Sequence, residues 1–214
     1  MLDVLYIDAE AIVVDKPAGL PVDTPRDGSL SIENYLQSLT FGFQRWPLPV
    51  HRLDRDTSGC LLLARTPKAH KRYQQAFEQG LVDKRYLAVL DGVPEGEAGM
   101  IDLALAKTSS REAGWRMVAS ANGKPARTRW ELLRTEGARA LVAFMPETGR
   151  THQIRVHAAT GLGCPVAGDP VYGRAGPHGM LLHAAALGVP RPGKPAIEAT
   201  APMPGRFAET GFAP

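Results

Sequence analysis

At 214 residues and 44% hydrophobic content, the chain is long enough to bury a real core and too apolar to be disordered. Twenty-five Lys and Arg against 22 Asp and Glu leave a formal charge of +3, which suits a polyanionic partner but is also common among ordinary enzymes. The two cysteines, Cys60 and Cys164, lie far apart among apolar or small residues, and no apolar run is long enough to span a bilayer; a reduced, cytoplasmic protein without a leader peptide is expected.

In chain order, residues 4–7 and 11–14 are β-rich runs separated by Asp8-Ala9-Glu10, which predicts an N-terminal hairpin ending at Lys16-Pro17-Ala18-Gly19. A proline-stiffened loop over residues 21–29 follows, and then Leu30, Ile32, Tyr35 and Leu36 recur at roughly helical spacing. The nine residues His51-Arg52-Leu53-Asp54-Arg55-Asp56-Thr57-Ser58-Gly59 concentrate charge and run directly into Cys60-Leu61-Leu62-Leu63-Ala64, which reads as a buried strand. At least one carboxylate is therefore expected to be partly desolvated and to need a partner.

Thr66 is placed to cap a helix that Pro67 opens and Gly80 closes. Its apolar face carries Ala69, Tyr73, Ala76 and Phe77. Its other side carries Lys68, Lys71, Arg72 and Gln75, either a solvated helix face or a contact to a phosphate backbone. Residues 84–90 predict a strand, residues 92–123 break into turns and short strands, and residues 127–133 and 138–145 predict a strand pair. Residues 151–159 predict a helix with Ile154, His157 and Ala158 on one face and Gly161 as its stop, and residues 180–187 predict a further strand. Strands outnumber helices and most connections are hairpin-like. The expectation is one α+β domain over residues 1–214, with a mixed, largely antiparallel central sheet flanked by helices.

Several chemistries fail on spacing. The six histidines form no H-E-x-x-H and the cysteines no C-x-x-C, so no metal is expected; neither G-x-G-x-x-G nor a phosphate-binding P-loop is present. Ser58 lacks the flanking glycines of a nucleophile elbow. Arg52-Leu53-Asp54 has none of the glycine-rich and D-F-G segments a kinase requires. What remains is Asp54 among arginines, with further cations at residues 150–155. A paired carboxylate stays ionised at neutral pH and suits a nucleophile, although a purely structural buried ion pair fits the same residues.

The segment His51-Arg52-Leu53-Asp54 followed by Thr57-Ser58-Gly59 resembles the signature of the RluA-type RNA pseudouridine synthases. Lys16-Pro17-Ala18-Gly19-Leu20, Lys84-Arg85-Tyr86-Leu87-Ala88-Val89, Gly149-Arg150-Thr151-His152-Gln153-Ile154-Arg155-Val156-His157, Gly168-Asp169-Pro170 and Leu182-His183-Ala184 resemble further motifs of that family, in unbroken order. The resemblance implies isomerisation of uridine in RNA to pseudouridine with no metal or organic cofactor. It makes Asp54 the catalytic aspartate, acting at ribose C1′, at C6 of the base or through a glycal. Arg155 becomes the basic residue that pairs with Asp54, Tyr86 the ring that stacks on the base and assists proton removal from C5, and Ile154 a wall of the uracil pocket.

Arg52 is expected to occupy the place of the flipped base, and Arg150 and Lys84 to hold backbone phosphates. Asp56 is a structural or RNA-facing carboxylate. Some relatives carry an N-terminal RNA-binding domain of the ribosomal S4 type; here the first strand begins almost at Met1, so a catalytic domain alone is expected. It would act as a monomer on a stem-loop of rRNA or tRNA and away from membranes. A non-catalytic RNA-binding or RNA-chaperone module on the same fold is the alternative. A small-molecule glycosidase is disfavoured, because Asp54 and Asp56 are poorly spaced to flank one glycosidic bond.

Overall fold

The strands, in chain order, are β1 (Asp3–Ile7), β2 (Ala11–Lys16), β3 (Leu48–Pro49), β4 (Ser58–Ala64), β5 (Asp83–Asp91), β6 (Ala98–Asp102), β7 (Leu105–Ser110), β8 (Gly114–Ala119), β9 (Arg127–Glu136), β10 (Arg139–Pro146), β11 (Leu182–Val189) and β12 (Ile197–Thr200). The helices are α1 (Pro67–Glu78), α2 (Gln153–Val156) and α3 (Gly205–Ala208), with a 3-10 helix at Ile32–Leu39 and a π-helical turn at His157–Gly161. This computed structural model describes residues 2–110 and 114–213. The class is α+β, built mostly on antiparallel pairing. The chain divides into two units, Met1–Lys84 with Ala184–Pro202 and Arg85–His183 with Met203–Pro214.

In the first unit the order is β1-β2-β4-β11, with β12 on β11 and β3 on β4. Asp8 makes the predicted hairpin turn, because its Oδ1 accepts from the backbone N–H groups of Glu10 and Ala11, both at 2.8 Å. All seven residues of β4 are buried, as expected of an apolar run with neighbours on both edges. Helix α1 begins where the sequence predicts: Pro67 needs no N–H partner at the first helical position, and the Thr66 side chain accepts from Ala69 N at 3.2 Å. Gly80, at φ +71°, takes the left-handed conformation that lets the chain leave the helix. Ala69, Tyr73 and Ala76 pack on Cys60, Leu62 and Ala64 of β4 and on residues of β11 and β12. Arg72, expected on the outer basic side, instead turns to Glu10, 2.7 Å away.

Both cysteines are buried free thiols. Burial pushes Cys60 up to about 11, and Cys164 also lies above its ordinary value because of burial.

In the second unit the order is β5-β10-β9-β6. The predicted strand pair is β9 and β10, turning at Gly137 with φ +56°. The weakly patterned stretch after residue 92 contains β6 and a separate two-stranded hairpin, β7 and β8. Their short strands give little periodicity to read. The predicted helix at residues 151–159 is only partly α-helical. His152 sits at φ +53°, α2 runs for four residues, and the π-helical turn then takes in Gly161 instead of stopping before it. A Cβ on Gly161 would lie 2.7 Å from Ile101, so this glycine serves close packing.

One glycine fixes the end of β4. Gly59 has φ +108°, and a Cβ there would lie 2.2 Å from the carbonyl oxygen of Ala184. Gly59→Ala must strain the backbone and push β11 away, so chemical denaturation is expected to show a loss of more than about 2 kcal/mol.

Candidate active site

In the first unit the charged segment lies along β4. Pro49 pairs with Leu63, Val50 N donates to Leu62 O at 3.0 Å, and His51 Nε2 accepts from Leu62 N at 3.0 Å. The imidazole ring also stacks on Phe77 of α1, with centroids 4.4 Å apart. Burial and the nearby Lys84 charge lower its pKa to about 3, so the ring is a neutral acceptor at physiological pH. Leu53 is buried and Asp54 is half-buried at the head of a turn in which Thr57 N donates to Asp54 O at 3.1 Å. Arg52 points outward, with an exposed ion pair to Asp23 at 2.8 Å. Asp56 is partly exposed, its carboxylate 3.9 Å from Arg55.

Lys16 braces this turn from beneath. Its side chain is fully buried, and Nζ donates to Pro17 O at 2.9 Å, Leu20 O at 2.7 Å and Arg55 O at 2.9 Å. Gly19 N also donates to Arg55 O at 2.9 Å, and Arg55 Nε returns a bond to Gly19 O at 3.2 Å. The Lys16-Pro17-Ala18-Gly19 turn and the Asp54 turn are thus joined by one ammonium group and two reciprocal bonds. Lys84, also in this unit, is half-buried, and burial pulls its pKa below the ordinary lysine value.

The second unit holds Tyr86, Arg150, Ile154 and Arg155. Ile154 belongs to a buried cluster with Ala88, Leu90, Phe144 and Met180, and the half-buried Tyr86 ring packs against that cluster. Tyr86 and Ile154 thus belong to one apolar cluster of the second unit. Arg155 is buried, and its Nε and Nη2 form a two-pronged pair with Asp169 at 2.7 and 2.8 Å. Asp169 is fully buried and also accepts from the N–H groups of Val171 and Tyr172. Burial works to raise its pKa, but Arg155 and these N–H groups outweigh it and hold the carboxyl below its ordinary value. Arg150 is exposed, with Nε donating to Pro125 O at 3.0 Å.

Several supporting residues escaped the sequence reading. The side chain of Gln153 donates to Arg127 O and Thr128 Oγ1 and accepts from Thr148 Oγ1 and Arg150 N, which fills its hydrogen-bonding capacity and fixes the approach to α2. Tyr172 lies under Arg155, with Cζ 5.1 Å from the ring centroid, while its hydroxyl accepts from Met117 N and bonds His152 Nδ1, both at 2.9 Å. Trp115 meets the edge of His152 at 5.1 Å. Hairpin β7 and β8 is thereby tied to the segment that carries Arg155. The motif Gly168-Asp169-Pro170 contained the one available signal for the Asp169 pair, since an aspartate inside so small a turn has few places to put its charge.

Residues 10–160 match the family model described as RNA pseudouridylate synthase. The chain is 61% identical over 212 residues to an uncharacterized RNA pseudouridine synthase of Zymomonas mobilis, covering 98% of this chain and 97% of that one. It is 39% identical over 180 residues to ribosomal large subunit pseudouridine synthase D of Nitrosomonas europaea, covering 82% of this chain but only 51% of that protein. The human RNA pseudouridylate synthase domain containing 4 structure superposes with a TM-score of 0.80 at 27% identity, covering 97% of this chain and 91% of that one.

Two measurements test the site's construction. Asp169→Asn keeps an acceptor for the backbone N–H groups but leaves Arg155 without its buried counter-charge, and a loss of about 3 kcal/mol or more is expected in urea denaturation. His51 has its pKa near 3 when folded and near 6.5 when unfolded, so the unfolded chain binds the extra proton between those values. Its contribution to stability is complete above about pH 6.5 and is lost progressively as the pH falls toward 3. Urea midpoints for the parent protein and His51→Gln should converge as acidity increases.

Proposed function

Because this chain belongs to the RNA pseudouridylate synthase family, we propose that Asp54 is the carboxylate with which it isomerises a uridine to pseudouridine in a stem-loop of ribosomal RNA. The activity of RNA pseudouridine synthase comes with the family; the residue roles and the target go beyond it. The observation that carries the role of Asp54 is the bracing of its turn, in which Lys16 and Gly19 hold the Arg55 carbonyl and β4 anchors the C-terminal end of the segment. A reacting carboxylate gains from such fixed orientation, and a solvated loop would not supply it. The relatives named as ribosomal large subunit synthases favour rRNA over tRNA as the target.

In the reaction the bond from uracil N1 to ribose C1′ breaks, a bond from C5 to C1′ forms, C5 loses its hydrogen and N1 gains one. Asp54 opens this exchange by acting on the ribose or the base, and Tyr86 stacks on the freed uracil with its hydroxyl available for the C5 proton. Ile154 lines the uracil pocket and Arg155 supplies positive charge, held in orientation by Asp169. The uridine must first leave its stack, at a cost of a few kcal/mol. Arg52 fills the gap: its surface pair with Asp23 is worth at most about 1 kcal/mol, so releasing it costs little. Arg150 and Lys84 hold phosphates, and the half-buried Lys84 gains from an anion that offsets its desolvation.

We read the two units as one catalytic domain, since the matched residues 10–160 draw on both. A cytoplasmic protein fits the absence, among described residues, of a helix long and apolar enough to cross a membrane, and the two buried free thiols. A monomer without metal or organic cofactor completes the reading.

Tritium release from [5-³H]uridine-labelled rRNA and tRNA transcripts by the purified protein tests it, because isomerisation through C5 expels the C5 hydrogen. Asp54→Asn is expected to abolish release while retaining RNA binding, and Asp56→Asn to retain both. Activity surviving in Asp54→Asn would defeat the assignment. Tyr86→Phe is expected to keep RNA affinity and lower the single-turnover rate, separating stacking from hydroxyl chemistry.

A further inference from the structure

The residues just before the charged segment form an exposed aromatic loop that the roles above leave unused. All six residues of Phe41-Gly42-Phe43-Gln44-Arg45-Trp46 are exposed, with Phe41 at 50% and Trp46 at 55%. Exposing rings of this size forgoes about 1.5–3 kcal/mol of burial for a side chain such as Phe, a sacrifice that marks a contact surface when the rings are also held in place.

Phe41 and Phe43 are held in place. Phe41 has φ +45°, a left-handed conformation that costs a bulky residue of order 1 kcal/mol or more and persists only when neighbours impose it. Arg65 is the residue that imposes it. Its buried guanidinium donates from Nη2 to Thr40 O at 2.9 Å and Phe41 O at 3.1 Å, and from Nη1 to Asp8 O at 2.6 Å. Its Cζ lies 3.8 Å from the Phe43 ring centroid. Pro47 is buried behind the loop, and Leu48 pairs with Ala64 at the end of β4.

Charge chooses the occupant. The adjoining turn at Asp8 and Glu10 gathers Arg65, Arg72, Arg191 and Lys194, four cations around two carboxylates, and Arg45 adds another on the loop itself. Exposed rings beside excess positive charge fit unpaired nucleobases on a phosphate backbone, which stack on aromatic faces and are attracted by the cations. An acidic turn would have repelled such a ligand.

From these observations we infer that the loop of residues 41–46 is a second RNA contact, a stacking platform for an unpaired stretch of the substrate outside the reacting stem-loop. It lies at the Ala64 end of β4 and Asp54 at the Ser58 end, on the order of 20 Å apart along the strand. About six stacked nucleotides at ~3.4 Å each would cover that distance. The platform binds RNA without touching the reacting atoms, so it acts on affinity and leaves the chemical step alone. The inference rests on the isomerase reading only in taking the ligand to be part of the substrate.

The test uses the full chain with Trp46→Ala and Phe41→Gly, the second of which removes a ring and relieves strain together. Fluorescein-labelled oligoadenylate contains no uridine for the reacting centre, so its anisotropy reports the platform. Both variants are expected to bind it roughly ten-fold more weakly and to raise KM for labelled rRNA transcripts by a similar factor, with kcat unchanged. Thermal midpoints should hold for Trp46→Ala and hold or rise for Phe41→Gly, which excludes unfolding as the cause. Unchanged oligoadenylate affinity and unchanged KM in both variants overturn the proposal and leave the loop to a protein partner. A fall in kcat with KM unmoved also overturns it, by placing the effect at the reacting centre. If the unsubstituted protein releases no tritium from any transcript, the isomerase reading fails, while the oligoadenylate measurement still decides the platform.

Discussion

A fully buried ammonium group meeting three backbone carbonyls is the interaction on which the Asp54 turn of the first unit depends. Placing a lysine out of water is unfavourable by several kcal/mol unless its protons are all bonded. Lys16 Nζ meets that condition with the carbonyls of Pro17, Leu20 and Arg55. The same condition works in reverse: those carbonyls must stay where the ammonium needs them. The turn carrying Asp54 is held by its backbone from below, through the Arg55 carbonyl.

The Arg155 segment of the second unit is built on different chemistry with the same logic. Arg155 and Asp169 are both buried, and the two-pronged geometry leaves little freedom to either. Tyr172 underlies the guanidinium and ties His152 and Met117 to it through its hydroxyl. The left-handed His152 is a local cost that these bonds offset. Arg52 is the contrast. Its ion pair with Asp23 is exposed and holds it only weakly.

Legibility in the sequence followed the kind of interaction involved. Strand β4 and helix α1 were readable because periodicity, a threonine cap and a proline at the first helical position all act over a few residues. Hairpin β7 and β8 was not, since its strands are short and its packing on Tyr172 joins residues far apart in sequence. Asp54, Tyr86, Ile154 and Arg155 were visible only through several motifs in order; taken alone, each is an ordinary aspartate, tyrosine, isoleucine or arginine. Lys16 and Asp169 stood inside those motifs without a role, because a buried cation among carbonyls and a buried fork are properties of the folded chain. Arg72 misled for the same reason: helical spacing places it on the outer side, whereas its long side chain reaches back to Glu10.

The thiols of Cys60 and Cys164 are sealed inside the protein and held in the protonated form. Thiol reagents attack the thiolate, so the native chain is close to silent toward maleimides and mild oxidants while it stays folded. A single cysteine introduced on the surface would then carry a label alone, with no need to strip the natural ones. Spectroscopic rulers can therefore be mounted directly on the working enzyme, and native labelling itself becomes a gauge of how often the two cores, with Cys60 in the first unit and Cys164 in the second, open.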